Sequence, residues 1–258
     1  MDDRLLFWIS VGKPGRIGVL HFACVLLAMS ILTGCELIRM RVDPALADVP
    51  ALKVEGNQWR MPTTPIRFGQ WHTTEMKVGS EKARVRGVST DKAFDEYQES
   101  EQPYHFVLSA SSGMITADCV AIARFNSFGG GEHTIEVDLA QRDKQPKFHC
   151  RYSGAAEGAL TLTEEIKLGD PMSGDLEFGS DRWKVSSTSA TENKLIAPPG
   201  GIIGYEIRRN GRVVAGVEVI NDGRVWISPA SSQLDQDRLA AAITALLIYR
   251  EIEPAAHD

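Results

Sequence analysis

The stretch Leu239 to Tyr249, reading Leu-Ala-Ala-Ala-Ile-Thr-Ala-Leu-Leu-Ile-Tyr, carries no charge and has no polar face. It lies within Leu234–Ile252, whose start can be capped by Ser231 or Ser232. Asp235 and Asp237 suit the positive end of its dipole, and Pro254 stops it. A helix that is apolar all round has to be buried on every side. Eleven residues rise about 16 Å, roughly half the hydrocarbon thickness of a bilayer, so burial has to come from protein. The rest of the chain must therefore provide an enclosure, a single open face to pack on, or a second copy.

Strands are what the rest of the chain offers. From Ile66 to Ser228, short runs of period two alternate with Gly, Asn, Asp, Ser and Pro. Tyr104, Phe106 and Leu108 share one face, and Thr134 to Leu139 alternates throughout. Asn210-Gly211 supplies the two positive φ angles of a tight hairpin turn between Gly204–Arg209 and Arg212–Ile220. Runs near 66–72, 83–88, 104–109, 114–124, 133–139, 146–152, 158–168, 173–178, 181–187, 202–209, 212–220 and 224–228 make about twelve strands. The expected fold is mainly β with one C-terminal helix, 234–252: about twelve antiparallel strands in a barrel or sandwich around a buried apolar helix.

A second apolar block lies at the other end of the sequence. Ile17 to Gly34 carries no charge, and Arg4, Lys13 and Arg16 precede it, which is the pattern of an export signal. Leu32-Thr33-Gly34-Cys35 resembles the lipobox of bacterial lipoproteins, in which a branched apolar residue and two small residues precede the cysteine that is lipidated. The resemblance implies cleavage after Gly34, a diacylglyceryl group and an N-acyl chain on Cys35, and stable attachment to a membrane by several chains. Glu36 stands where lipoproteins retained in the inner membrane often have Asp, so the family's sorting rule implies the outer membrane, facing the periplasm. The domain expectations are a signal peptide over 1–34, a tether over 35–51 broken by Pro44 and Pro50, and a single periplasmic domain over 52–258.

Of 258 residues, the 224 beyond the expected cleavage carry 25 basic and 32 acidic side chains, which excludes nucleic acid as the main partner. Four cysteines at these spacings do not form a zinc site. Cys24 would leave with the signal and Cys35 would be acylated. Cys119 and Cys150 then meet an oxidising compartment, where neighbouring or facing strands would bring them into a disulfide; two separately buried thiols are the alternative.

The end of the chain carries a second resemblance. Gly204 to Ile207, Val213 to Val219, Val225-Trp226-Ile227 and then Leu239 to Tyr249 are similar in kind to how the tubby-like barrel ends, the fold shared by tubby proteins, phospholipid scramblases and the LURP-one group. It implies binding of a lipid or membrane rather than turnover. No phosphoinositide-binding lysine or scramblase calcium motif falls on a position of this chain.

Catalytic patterns are missing from the sequence. His72, His105, His133, His149 and His257 form no ligand pair on a helix, and His149 and Cys150, adjacent on a strand, point to opposite faces. No nucleophile elbow occurs, and Gly129-Gly130-Gly131 reads as a hairpin tip rather than a phosphate cradle. Glu164 shares parity with Leu160, Leu162 and Ile166, so it points inward unless a bulge or strand end turns it out. Arg208, Arg209, Arg212 and Arg224 bracket the best hairpin, either to meet anionic headgroups or as a solvated face balanced by Glu206 and Glu218. Trp59, Trp71, Trp183 and Trp226 belong to the core in the plainer reading and to a ligand platform in the sharper one. The expected function is a non-enzymatic envelope lipoprotein with no catalytic residue, metal or dissociable cofactor. It would meet the membrane through its lipid anchor and bind a lipid ligand or an envelope protein. A structural or assembly subunit of an envelope complex is the second reading, and an envelope hydrolase centred on Glu164 is the third.

Overall fold

The computed structural model describes residues 38–56, 65–89, 94–130, 133–138, 146–164, 172–192 and 201–252. By its internal contacts the chain divides into Met1–Leu37 and Ile38–Asp258. The signal-peptide expectation over 1–34 and Cys35 therefore lie outside the described residues.

The larger unit is one antiparallel sheet with one helix at its C-terminus. Its strands are β1 (Leu52–Lys53), β2 (Arg67–Phe68), β3 (Trp71–Val78), β4 (Lys82–Ser89), β5 (Phe94–Ala110), β6 (Gly113–Gly130) and β7 (His133–Asp138). They continue with β8 (Pro146–Gly154), β9 (Gly158–Glu164), β10 (Met172–Phe178), β11 (Asp181–Thr188), β12 (Gly204–Arg209), β13 (Arg212–Glu218) and β14 (Arg224–Ile227). Twelve strands follow one path, β1-β14-β13-β12-β11-β10-β9-β8-β6-β5-β3-β2. The two ends of that path meet at Glu55 and Arg67, which exchange backbone hydrogen bonds of 2.9 and 3.0 Å. Of the two architectures that the alternating runs left open, a barrel or a sandwich, the sheet is a nearly closed barrel.

Helix α1 (Gln233–Ile248) fills it. The Ser232 hydroxyl accepts from the Asp235 amide, and every residue from Leu239 to Ile248 is at most 1% exposed. The helix touches β5, β6, β13 and β14, strands from two separate parts of the path. Inward-facing Phe106, Leu108, Phe148, Leu160, Leu162, Leu176, Val185, Ile207 and Val217 join it in one core. A polar atom in that core needs a partner, and the Thr244 hydroxyl donates to the Ala240 carbonyl at 2.9 Å. The helix ends at Ile248, four residues short of the expected Ile252. Tyr249 adopts extended backbone (φ −58°, ψ 133°) and lays its ring against Phe148 at 4.6 Å.

Three further differences from the sequence reading have local causes. The run near 66–72 is two strands, because Gly69 takes φ 55° and turns the chain between Phe68 and Trp71. The expected 104–109 strand extends back to Phe94 and its partner runs on to Gly130, so β5 and β6 continue past β3 and β8, flanked there by β4 and β7. Phe94–Glu101 was hidden to a pattern search because charged and polar residues occupy both faces of that stretch. Gly130 pairs His133, so β6 runs into β7 with Gly129 and Gly130 at the end of β6; Gly131 lies outside the described residues. The Asn210–Gly211 turn has φ 53° and 79°, both positive as the hairpin required.

The third difference concerns residues 38–51, expected as part of a tether over 35–51. Met40 and Leu46 are each 1% exposed, packed with Ile203, Val213 and Trp226 in a second, smaller core. The domain therefore starts at Ile38 rather than at Leu52. Pro44 and Pro50 do break helix as expected, but they shape a folded strap: Pro44–Leu46 is a single 3-10 turn capped by the Asp43 carboxylate.

Candidate functional site

The strap is held by Glu218, at the end of β13. This carboxylate is fully buried and takes every donor around it: Arg39 Nη1 at 2.9 Å, the Met40 amide at 2.7 Å, and Arg224 Nη2 at 2.7 Å and Nε at 3.2 Å. A second carboxylate, Glu192, receives Arg224 Nη2 at 2.9 Å. Burial works against the charge on Arg224, but its hydrogen bonds to Glu218 and Glu192 outweigh that and hold its pKa above the ordinary value. The Arg224 guanidinium also lies over the Trp226 ring at 5.0 Å. The strap backbone completes the attachment, with Arg41 N donating to the Ala190 carbonyl at 2.8 Å and Glu192 N to the Arg39 carbonyl at 3.0 Å.

Gly204 makes the seat possible. A Cβ there would run into the Met40 sulfur on one side and the Val217 carbonyl on the other. Only a residue without a side chain lets Met40 lie this close to the sheet.

At the opposite end of the barrel, a ring of four charges closes over the start of α1. Arg209 reaches Asp181 at 2.5 Å and Asp235 at 3.0 Å, and Arg238 reaches the same two carboxylates at 2.9 and 3.3 Å. The two guanidinium groups lie over Trp183 and Phe178, at 5.2 and 5.7 Å from the ring centres. Two arginines against two aspartates leave the ring without net charge. Beneath it the Asp237 carboxylate, fully buried, accepts from Trp71 Nε1 at 2.7 Å, the Ser112 amide at 2.7 Å and Gln233 Nε2 at 3.1 Å. One side chain thus ties β3, the β5–β6 turn and α1 together.

The four arginines read from the sequence are not one cluster. Arg208 pairs with Glu206 and, at 3.5 Å, with the strap's Asp43. Arg209 belongs to the charge ring and Arg224 to the Glu218 clamp. Arg212 is exposed at the hairpin tip, with no carboxylate within ion-pair distance among the described residues. Three of the four therefore hold the domain to itself, and the balancing roles foreseen for Glu206 and Glu218 are what the geometry shows.

Cys119 and Cys150 face each other across β6 and β8 and form a disulfide, with Cα atoms 3.9 Å apart. Closing a loop of that separation stabilises by about 3–4 kcal/mol. His149, next to Cys150, points away from the core and pairs with Thr161 Oγ1 at 3.0 Å; burial first, then the nearby Arg151, lowers its pKa. His105 pairs with Asp118 at 2.7 Å on the outer surface. Among the described residues no three His, Cys, Asp or Glu gather as metal ligands. Glu164 ends β9 opposite Met172, and its side chain lies outside the described residues, as do Trp59, His133 and His257. Trp71, Trp183 and Trp226 are core residues, each at most 4% exposed.

What sequence reasoning missed is that two of the carboxylates it named, Asp237 and Glu218, are fully buried. Asp237 was assigned to the helix dipole, and its position directly before an all-round apolar run was the available signal. Glu218 gave none, since it occurs on an alternating strand whose outer face is covered only because the strap folds back on it. No family model, no curated protein and no solved structure matches this chain.

Proposed function

We propose that the chain is a lipid-anchored protein of the bacterial envelope, acylated at Cys35 after removal of residues 1–34, whose barrel domain is non-enzymatic and binds a lipid or an envelope partner. One observation supports the reading: the compact unit that holds the barrel is Ile38–Asp258, which starts three residues after the lipobox cysteine, so the basic-then-apolar stretch and Cys35 belong to the other unit of the chain. A leader and its lipidation site have to be separable from the domain they deliver.

The resemblance to the tubby-like barrel is supported by architecture alone, a sheet curled around a C-terminal apolar helix, and it favours a membrane or lipid as the partner. Because α1 and the inward side chains fill the barrel, ligand contact falls to its ends and outer surface. The outer surface also supports the second reading, an assembly subunit, through one specific feature. Beyond the barrel, β5 and β6 continue with β4 and β7 beside them, and the outer edges of β4 and β7 pair with no described strand. Such an edge accepts another chain's strand, although Lys82, Arg84 and Arg86 on β4 discourage indiscriminate pairing.

Solvent extraction of the purified mature protein followed by mass spectrometry separates the two readings. The leading one predicts a co-purifying non-covalent lipid; a stoichiometric protein partner with no such lipid supports assembly instead.

A further inference from the structure

We infer that the strap fixes which end of the barrel faces the bilayer: the end carrying the β13–β14 turn, Asn221-Asp222-Gly223, lies against the lipid surface, and the end carrying the Asn210–Gly211 turn points away from it. The inference rests on the proposed acylation of Cys35.

Length decides it. A tether over 35–51 would reach roughly 60 Å and leave the domain free to present any face. The strap removes almost all of that reach. Between Cys35 and Ile38, the first residue the structure describes, the chain spans at most roughly 10 Å. Ile38 is itself located, because its carbonyl accepts from Asn221 Nδ2 at 2.8 Å, and two residues on, the Met40 amide is on the buried Glu218. The strap then runs toward the far end, where Asp43 meets Arg208, and returns so that Leu52 and Lys53 pair with Val225 and Arg224. The chain thus enters the domain at the β13–β14 end.

The ends are far enough apart for this to matter. From Glu218 to Arg212 β13 runs six residues, roughly 20 Å. Strand register puts Thr188, Gly204, Glu218 and Arg224 at the near end and Asp181, Arg209 and α1's first turn at the far end. The β4–β7 extension leaves from the near side as well, since β5 and β6 outrun the barrel where β3 ends at Val78, opposite Tyr104. Three of the exposed large apolar side chains, Val78, Val85 and Phe128, belong to that end and its extension. The partner this surface fits is the headgroup layer of the leaflet that holds the acyl chains, and the charge ring over α1 is left free to the aqueous side.

The bridged and acylated cysteines make a clean test possible, because an introduced cysteine would be the sole free thiol. The full chain carrying Asp222→Cys or Arg212→Cys, both at exposed positions, would be produced with its own leader, labelled with a fluorophore and reconstituted into phosphatidylethanolamine and phosphatidylglycerol vesicles doped with a headgroup-nitroxide lipid. Flotation with the vesicles comes first; a chain that fails to float overturns the acylation reading and the orientation with it. In a chain that floats, the label at 222 should be quenched several-fold more than the label at 212. A flexible insert of about fifteen residues between Leu37 and Ile38 should bring the two labels close to parity. Equal quenching without the insert, or stronger quenching at 212, would overturn the orientation while leaving the anchor intact.

Discussion

Asp237 is a fully buried carboxylate with no ion pair among the described residues, and three donors from three elements satisfy it. Removing the carboxylate strands the Trp71 indole N–H and the Ser112 amide, and each orphaned buried donor costs about 1–3 kcal/mol. Asp237→Ala should therefore lower stability by about 2–5 kcal/mol in urea denaturation, and an unchanged midpoint would mean those donors find other partners. Tyr104 offers a pH test. Burial pushes its phenol up to about 12, against an ordinary value near 10, so the folded state keeps a proton that the unfolded state gives up. This contribution is complete below pH 10 and is lost as pH rises from about 10 to about 12, a loss of about 2–3 kcal/mol. Tyr104→Phe should flatten the alkaline limb of the stability profile, and an identical limb would refute it. Little of either role is legible in the sequence beyond the alternation that points Tyr104 inward and the apolar run that follows Asp237, because Trp71 and Ser112 lie more than a hundred positions from Asp237 and Phe148 lies far from Tyr104.

At the scale of elements, the helix was the most legible part of the molecule. An apolar run with no polar face has to be covered by an enclosure, an open face or a second copy, and the structure adopts the enclosure, with ten consecutive residues at most 1% exposed. Ala242→Asp puts a charge at the centre of that run with nothing to pair it, and the domain should fail to fold; a soluble variant with the native melting profile would mean the barrel interior can admit water. Most strands were legible too, through their period of two. The pattern failed where its physical basis fails. At Phe94–Glu101 the strand lies beyond the barrel and presents polar residues to both sides, so no alternation marks it. At Gly69 one positive φ divides an apparent run into two strands. The strap was the larger miss: its few apolar residues show no period because a 3-10 turn and two prolines space them, and they meet only when folded back on β12–β14.

At the largest scale, the unit Ile38–Asp258 is a filled barrel closed at one end by a neutral ring of charges and strapped at the other by residues 38–51. Few candidate site residues remained available once it was built: Arg208, Arg209 and Arg224 hold strap, ring and hairpin together, and the paired cysteines hold β6 to β8. What would distinguish this domain from any other self-contained barrel is the proposed leader, and all that is proposed about membrane, orientation and partner depends on Cys35. The intact mass of the protein purified from membranes of a bacterium that expresses the full chain tests that dependence most directly. The account predicts residues 35–258 carrying a diacylglyceryl group and an amide-linked acyl chain, and for Cys35→Ala an uncleaved, unacylated precursor. A protein that retains residues 1–34, or a Cys35→Ala variant processed like the wild type, would contradict it.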